Sequence, residues 1–308
     1  MKVGVVGTGS VGSCAAYAMI MSGVASELVL IDPDEALARA QAGDLADATP
    51  FASPVRVAAA GYGELEGAGA VVLCCGVRQR PGESRMELLA RNAAIFGSVV
   101  PQVLERAPGA ILLVVSNPVD ALTDLVWKAS GRPAGRVLGS GTTLDTARFR
   151  CSLGRHLGVA PGSVHGYVLG EHGDSEVLAW SSVAVGGVPL ETFADQAGRP
   201  LTPEARARID GEVRHAAARI IEGKGSTSFG IGGAVTQILR AVRDDERTLL
   251  TVSAPQDGSC YSLPRIVGAA GIERTLVPSL SREEHLALDA SAALIAEAIR
   301  SMGQPKEP

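Results

Sequence analysis

Short runs that are apolar at nearly every position recur through the first 140 residues. They are KVGVVG at 2–7, ELVLID at 27–32, VRVAAA at 55–60, AVVLCC at 70–75 and AILLVV at 110–115, and amphipathic stretches at 11–23, 34–48, 84–106 and 120–130 separate them. A strand with one wet face alternates apolar and polar residues, whereas a parallel strand covered by helices on both faces reads as a continuous apolar run. The rhythm therefore predicts βαβ units and an α/β fold built on a doubly wound parallel sheet. After about residue 143 the texture changes. SVHGYVLG and AWSSVAVGGVPL read as shorter strands, and 203–222 and 282–302 as long helices. Ser281 and Glu284 open the second of these helices as a capping box. We expect a mixed α+β domain over 143–308 behind a sheet domain over 1–142, with a helix around 227–244 packing back on the first.

A chain of 308 residues that is 46% apolar and 20% charged buries a large core, which argues against disorder and against a small disulfide-stapled scaffold. A net charge of −5 supplies no basic stripe to offset phosphates, so no nucleic-acid partner is expected. The cysteines at 14, 74, 75, 151 and 260 form no Cys-x-x-Cys pair and suggest a reducing compartment and no metal site. Lys2 followed by an uncharged stretch imitates a secretory signal, but Gly4, Gly7, Gly9 and Gly12 would break a helical signal core. No other apolar run approaches the roughly 18–20 residues of a membrane span. A cytoplasmic protein with no membrane partner is the expectation.

The first strand runs straight into Gly7-Thr8-Gly9-Ser10-Val11-Gly12 and then an apolar helix. Glycines in such a turn let backbone amides at the helix start approach a pyrophosphate. Alone the pattern is weak, because glycine-rich turns are common. The next strand ends in Asp32, where a carboxylate can accept hydrogen bonds from ribose hydroxyls and repel a 2′-phosphate, favouring NAD over NADP. By itself Asp32 is equally a turn or cap residue before Pro33. Strand, loop and carboxylate together favour a Rossmann-type dinucleotide site. A kinase-type phosphate loop is absent, since Gly223-Lys224-Gly225 lacks the preceding glycine and the following hydroxyl in register.

Two further stretches carry chemistry. In Gly170-Glu171-His172-Gly173-Asp174 an imidazole is flanked by glycines and carboxylates, a setting for a general acid/base, although a lone histidine is more often structural. In Leu144-Asp145-Thr146-Ala147-Arg148-Phe149-Arg150, helical spacing puts Asp145 and Arg148 one turn apart on one face. The bland alternative is a surface ion pair.

With these residues in order, GTGSVG, GESRMELLARN, SNPVD, LDTARFR, GEHGD and STSFGIG make the chain resemble the lactate and malate dehydrogenase family over nearly its whole length. Within the family the bacterial L-lactate dehydrogenases are the most similar. The resemblance implies reversible hydride transfer between NADH and pyruvate, giving lactate and NAD. His172 would be the proton donor and acceptor, Asp145 would orient it, and Arg148 would clamp the substrate carboxylate through two parallel donors. Arg85, behind the loop Arg80-Pro81-Gly82-Glu83-Ser84, would polarise the reacting carbonyl when that loop closes. Asn117 in the Ser116-Asn117-Pro118 turn and Thr227 would line the substrate pocket. Gly7, Gly9, Val11, Gly12, Asp32, Ser140 and Ile231 would meet the cofactor. Thr227 and Ile231 could equally be helix-packing residues.

By the same resemblance Gln79 faces the substrate side chain, where malate enzymes carry arginine. Oxaloacetate would bring an unpaired carboxylate to a closing site, at a cost of roughly several kcal/mol. Arg78 and Arg80 flank Gln79, and a shift of register by one residue would supply the missing cation. Arg150 and His165 match the basic pair with which many bacterial relatives bind fructose 1,6-bisphosphate across a twofold interface of a homotetramer. Their alternative is an Arg150 paired with a nearby carboxylate beside an ordinary strand histidine. The rival functions are a malate or bulkier 2-hydroxy acid dehydrogenase, a non-catalytic NAD sensor, and a hydrolase with resident NAD, which would need metal ligands.

Overall fold

In the computed structural model, which describes residues 1–78, 80 and 82–302, strand and helix alternate from the start of the chain. The order is β1 (Lys2–Val6), α1 (Ser10–Met21), β2 (Glu27–Ile31), α2 (Glu35–Ala48), β3 (Arg56–Ala59), β4 (Ala70–Leu73), α3 (Arg85–Arg106), β5 (Ile111–Val114), α4 (Val119–Ser130) and β6 (Val137–Gly139). Strands β4, β5 and β6 are buried at every position, which is why their sequences show no polar alternation. The six pair in parallel in the order β3-β2-β1-β4-β5-β6. Strand order reverses between β1 and β4, and a crevice opens there at the carboxyl ends of the strands.

The chain continues through α5 (Thr143–Leu157), β7 (Val164–His165), β8 (Val168–Leu169), β9 (Val177–Leu178), β10 (Ala184–Val185), β11 (Val188–Pro189) and α6 (Leu190–Gln196). Next come α7 (Pro203–Arg214), α8 (Ala216–Lys224), α9 (Phe229–Arg243), β12 (Thr248–Leu250), β13 (Ser253–Gln256), β14 (Ser259–Ser262), β15 (Arg265–Gly268), β16 (Gly271–Thr275) and α10 (Arg282–Met302). The long helix expected over 203–222 is two helices, broken at His215. Ile209 and Val213 anchor α7 in the core, whereas no residue of α8 is buried, so nothing holds the two on one axis. SVHGYVLG likewise splits, because β7 pairs with β10 and β8 with β9.

Alternate strand residues feed opposite cores. Val3, Val5, Leu28 and Leu30 pack with Ala15, Ala16, Met19 and Ile20 of α1 and with Val235, Ile238, Leu239 and Val242 of α9. Val6, Val29, Leu73 and Val114 pack against Phe96, Val100 and Val103 of α3 and Leu122 of α4. A third core joins Phe149 and Leu153 of α5 to Ile209 and Val213 of α7. The large sheet also takes strands from the second half of the chain: β13 pairs antiparallel with β6, and β14 with β13. Arg265, fully buried, braces this addition by donating to the carbonyls of Val252, Tyr261 and Ala254. No helix among the described residues is long and apolar enough to cross a membrane.

Candidate active site

The crevice begins where β1 ends. Gly7 has φ +92, a left-handed conformation, and a Cβ there would lie 2.6 Å from the backbone of Cys74 and Cys75. A Cβ on Gly12 would overlap the carbonyl oxygen of Gly7, so this glycine lets α1 close onto the turn. Gly9 differs: no atom lies within 4 Å of its Cβ position, and as N-cap of α1 it leaves the first amides without a side-chain cap. Open space above uncapped helix amides is the cradle a pyrophosphate requires, so these residues fit a dinucleotide. Asp32 closes β2 with one oxygen accepting from Thr8 N at 2.7 Å and Thr8 Oγ1 at 3.2 Å, and the other from Asp34 N at 3.0 Å. The helix cap of α2 is Asp34, not Asp32. Asp32 lines a cavity of 860 Å³ together with Gly7, Gly9, Tyr62 and Val77.

Val11 and Ile231 are partly buried against the core shared by α1 and α9. Ser140, 3% exposed, follows β6, and its N–H donates to Val114 O at 2.9 Å. Thr227 is half-buried between α8 and α9. Asn117 is exposed, and its carbonyl accepts from Asn92 Nδ2 at 2.8 Å. Asn92 Oδ1 in turn accepts from Val77 N at 2.8 Å. This buried amide joins the stretch after β4 to the Ser116-Asn117-Pro118 turn, a link that its place at the end of GESRMELLARN does not reveal.

The polar centre gathers residues from three elements. In the first turn of α5, Asp145 accepts from Arg148 Nη1 at 2.8 Å through Oδ1, and its Oδ2 lies 2.6 Å from His172 Nδ1. Asp145 is 2% exposed, so the pair with Arg148 is not a surface pair. His172 follows β8 on a loop anchored at its start. Gly170 bridges to Ser262 of β14 with two 2.9 Å hydrogen bonds, and Glu171 N donates to Ser291 Oγ of α10 at 2.8 Å. The His172 N–H donates to Asp120 Oδ2 of α4 at 2.7 Å. Sequence reasoning missed Asp120, whose signal is only its position in SNPVD.

These contacts set the electrostatics. Pairing with Asp145 outweighs burial and pushes the His172 imidazole up to about 9. Burial opposes ionisation of Asp145, but His172 and Arg148 together hold its carboxyl below the usual range. Burial raises Asp120 to about 6. With Nδ1–H turned to the ionised Asp145, His172 presents Nε2 as its proton-transferring nitrogen.

Arg85 is the first residue of α3, behind a Ser84/Glu87 capping box, and its guanidinium lies 3.3 Å from Glu171 Oε1 and 2.9 Å from Asp174 Oδ2. It thus faces the loop that carries His172. Gln79 lies outside the described residues. Arg78 turns to α1, donating to Ser10 Oγ at 3.1 Å beside the glycine turn. Farther away, Arg150 Nε donates to Gly166 O at 2.9 Å and its guanidinium sits 5.2 Å from the centre of the Tyr167 ring. The partners of Arg150 are thus a carbonyl and a ring rather than a carboxylate, and it reaches the residue after the exposed His165. Among the described residues no group of three or more His, Cys, Asp and Glu is placed to hold a metal ion.

Comparison with known proteins adds the lineage. Residues 1–139 match the family model for the lactate/malate dehydrogenase NAD binding domain, and residues 142–304 match its alpha/beta C-terminal domain. A Thermus aquaticus L-lactate dehydrogenase is 54% identical over 98% of this chain and 100% of its own length. One from Deinococcus radiodurans is 52% identical over 96% and 97%. The crystal structure of a minor L-lactate dehydrogenase from Enterococcus mundtii in a ligand-bound form aligns with a TM-score of 0.93 at 41% identity, covering 97% of this chain and 98% of that one. The chain belongs to the lactate/malate dehydrogenase family.

Proposed function

We propose that the chain is an NAD-dependent L-lactate dehydrogenase, with a nucleotide domain over 1–142 and a catalytic domain over 143–308. The observation that carries the reading is the Asp145–His172 contact of 2.6 Å with Arg148 on the same carboxylate. A 2-oxo acid reduction needs a proton donor for the developing alkoxide and a clamp for the carboxylate. His172 donates that proton from Nε2, and Asp145 stabilises the imidazolium before transfer. Arg148 offers the substrate carboxylate its guanidinium donors and fixes the orientation of the 2-oxo group. The bound nicotinamide supplies the hydride. Arg85 polarises the carbonyl once it exchanges Glu171 and Asp174 for substrate, while Asn117 and Thr227 line the pocket.

Gly7, Gly9, Val11 and Gly12 would hold the cofactor's pyrophosphate, Asp32 would accept from its ribose hydroxyls, and Ser140 and Ile231 would meet its nicotinamide. The contact of Arg78 with Ser10 supports pyruvate over oxaloacetate, because it commits one of the two cations flanking Gln79 to the glycine turn. Arg150 and His165 form the effector site for fructose 1,6-bisphosphate in a cytoplasmic homotetramer. The test is the initial rate of NADH oxidation with pyruvate and with oxaloacetate, each with and without the bisphosphate. A large kcat/KM preference for pyruvate is expected, with a lower pyruvate KM when bisphosphate is present. Preference for oxaloacetate would refute the role of Gln79, and no rate with either would refute the catalytic reading.

A further inference from the structure

Two helices each bury a polar side chain against the loop that carries His172. On α10, Leu288, Ser291 and Ile295 follow helical spacing and are buried on one side. Leu288 and Ile295 pack with Leu169 of β8 and Val177 of β9, and Ser291 between them is fully buried. On α4, Asp120 is 3% exposed, beside the core residues Val119, Ala121 and Leu122. Burying a hydroxyl or a carboxyl costs free energy unless it is hydrogen-bonded. Both find their partners on the main chain of the loop.

The bonds fall on successive amides. Glu171 N–H donates to Ser291 Oγ at 2.8 Å, and the next, His172 N–H, donates to Asp120 Oδ2 at 2.7 Å. Gly170, with φ +83, admits the serine, because a Cβ there would lie 2.6 Å from Ser291 Oγ. Ser175 donates to Glu171 Oε2 at 2.5 Å, which leaves Ser291 to donate to Ser175 Oγ at 2.9 Å. Asp120, Glu171, His172 and Arg85 border one small cavity of 70 Å³, so the two bonds lie at the wall of the active site. A main chain held at consecutive N–H groups from two separate helices cannot pivot about either bond without breaking the other.

We propose that Asp120 and Ser291 are positioning residues for proton transfer, which together fix the main chain at His172 so that its ring stays on Asp145 and presents Nε2 to the substrate. This rests on the L-lactate dehydrogenase reading. Asp145 holds the far side of the imidazole at 2.6 Å but does not touch the backbone that carries it. With the main chain fixed from α4 and α10 and the ring fixed from α5, the proton donor is located before substrate arrives. Such preorganisation acts on the chemical step rather than on binding.

The test is steady-state kinetics beside NADH titration on Asp120→Ala, Asp120→Asn and Ser291→Ala. Asp120→Ala should lower kcat for pyruvate by roughly ten- to a hundredfold, the scale of a 1 Å misplacement of a catalytic group. Pyruvate KM and NADH affinity should stay near those of the wild type, because Arg148 and the glycine turn are untouched. Asp120→Asn keeps an acceptor oxygen of the same reach and should restore most of the lost kcat. Ser291→Ala removes a neutral hydrogen bond and should lower kcat by roughly two- to tenfold. Should Asp120→Ala fail to fold, Ser291→Ala, the loss of a single oxygen, decides by the same split between kcat and KM. Folded variants that turn over like the wild type would overturn the proposal, as would an Asn variant no more active than the Ala variant. Losses confined to pyruvate KM or NADH affinity would overturn it too. Absence of pyruvate-dependent NADH oxidation in the wild type would instead overturn the reading on which it rests.

Discussion

Gly12 of α1 meets the carbonyl oxygen of Gly7 so closely that no side chain fits between them, whereas the space beside Gly9, in the same turn, is open. The two glycines therefore answer to different constraints, one to packing and one to ligand. Gly12→Ala should destabilise the fold by about 1–3 kcal/mol, the usual cost of overpacking, and lower the thermal midpoint. Gly9→Ala should unfold like the wild type but bind NADH more weakly, because its methyl group enters the phosphate cradle. Thermal unfolding and NADH fluorescence titration on both variants separate the effects.

With His172 2.6 Å from Asp145 and its imidazole pushed up to about 9, pyruvate reduction should persist into alkaline solution and fall as pH passes about 9, a course that rates measured across pH 6–10 check. Asp145→Asn removes the largest cause of that elevation and should move the fall toward neutral pH. His172→Ala should lower turnover by about 10²–10⁴-fold while sparing NADH binding. Unchanged turnover would discard the mechanism.

The same pair links pH to stability. The folded-state value of His172 is raised from 6.5 to about 9, so its contribution is complete below pH 6.5 and is lost as pH rises from there through about 9. Asp145 is shifted downward, so its contribution is present above the ordinary 3.8 and is lost as pH falls. Urea midpoints measured between pH 6 and 10 should fall from about pH 6.5 to about 9 and level off above it, and His172→Ala should flatten the fall.

Arg148 is 17% exposed and shares Asp145 with the imidazole. Arg148→Lys keeps the charge but loses the planar fork that matches a carboxylate. A charge-assisted hydrogen bond of about 1.5–3 kcal/mol corresponds to a fall in kcat/KM of roughly ten- to a hundredfold, with NADH affinity unchanged. Steady-state kinetics beside a binding titration checks both.

Arg85 is 55% exposed and Asp174 92%, so their ion pair contributes little to stability, about 0–1 kcal/mol. Arg85→Ala should leave the thermal midpoint nearly unchanged and lower kcat for pyruvate. A lowered midpoint with full activity would mean that the guanidinium serves only to hold Glu171 and Asp174.

Local rules carried much of this protein into its sequence. Continuous apolar runs such as AVVLCC specified parallel strands, because a strand buried on both faces has no position to spare for a polar residue. The spacing of Asp145 and Arg148 followed from the pitch of one helix turn, and the glycine turn followed from backbone sterics over six residues. Gln79 remains an argument from sequence. Tertiary packing decided the rest. His172 finds Asp145 from 27 residues away and Asp120 from 52, and Arg78 reaches Ser10 across 68. The antiparallel strands β13 and β14 complete a sheet begun at residue 2, and a helix that reads as continuous breaks at His215 where its buried face runs out. Periodicity reports which face of an element is buried but not what it is buried against. The partners of His172 were therefore settled only when distant elements closed around it.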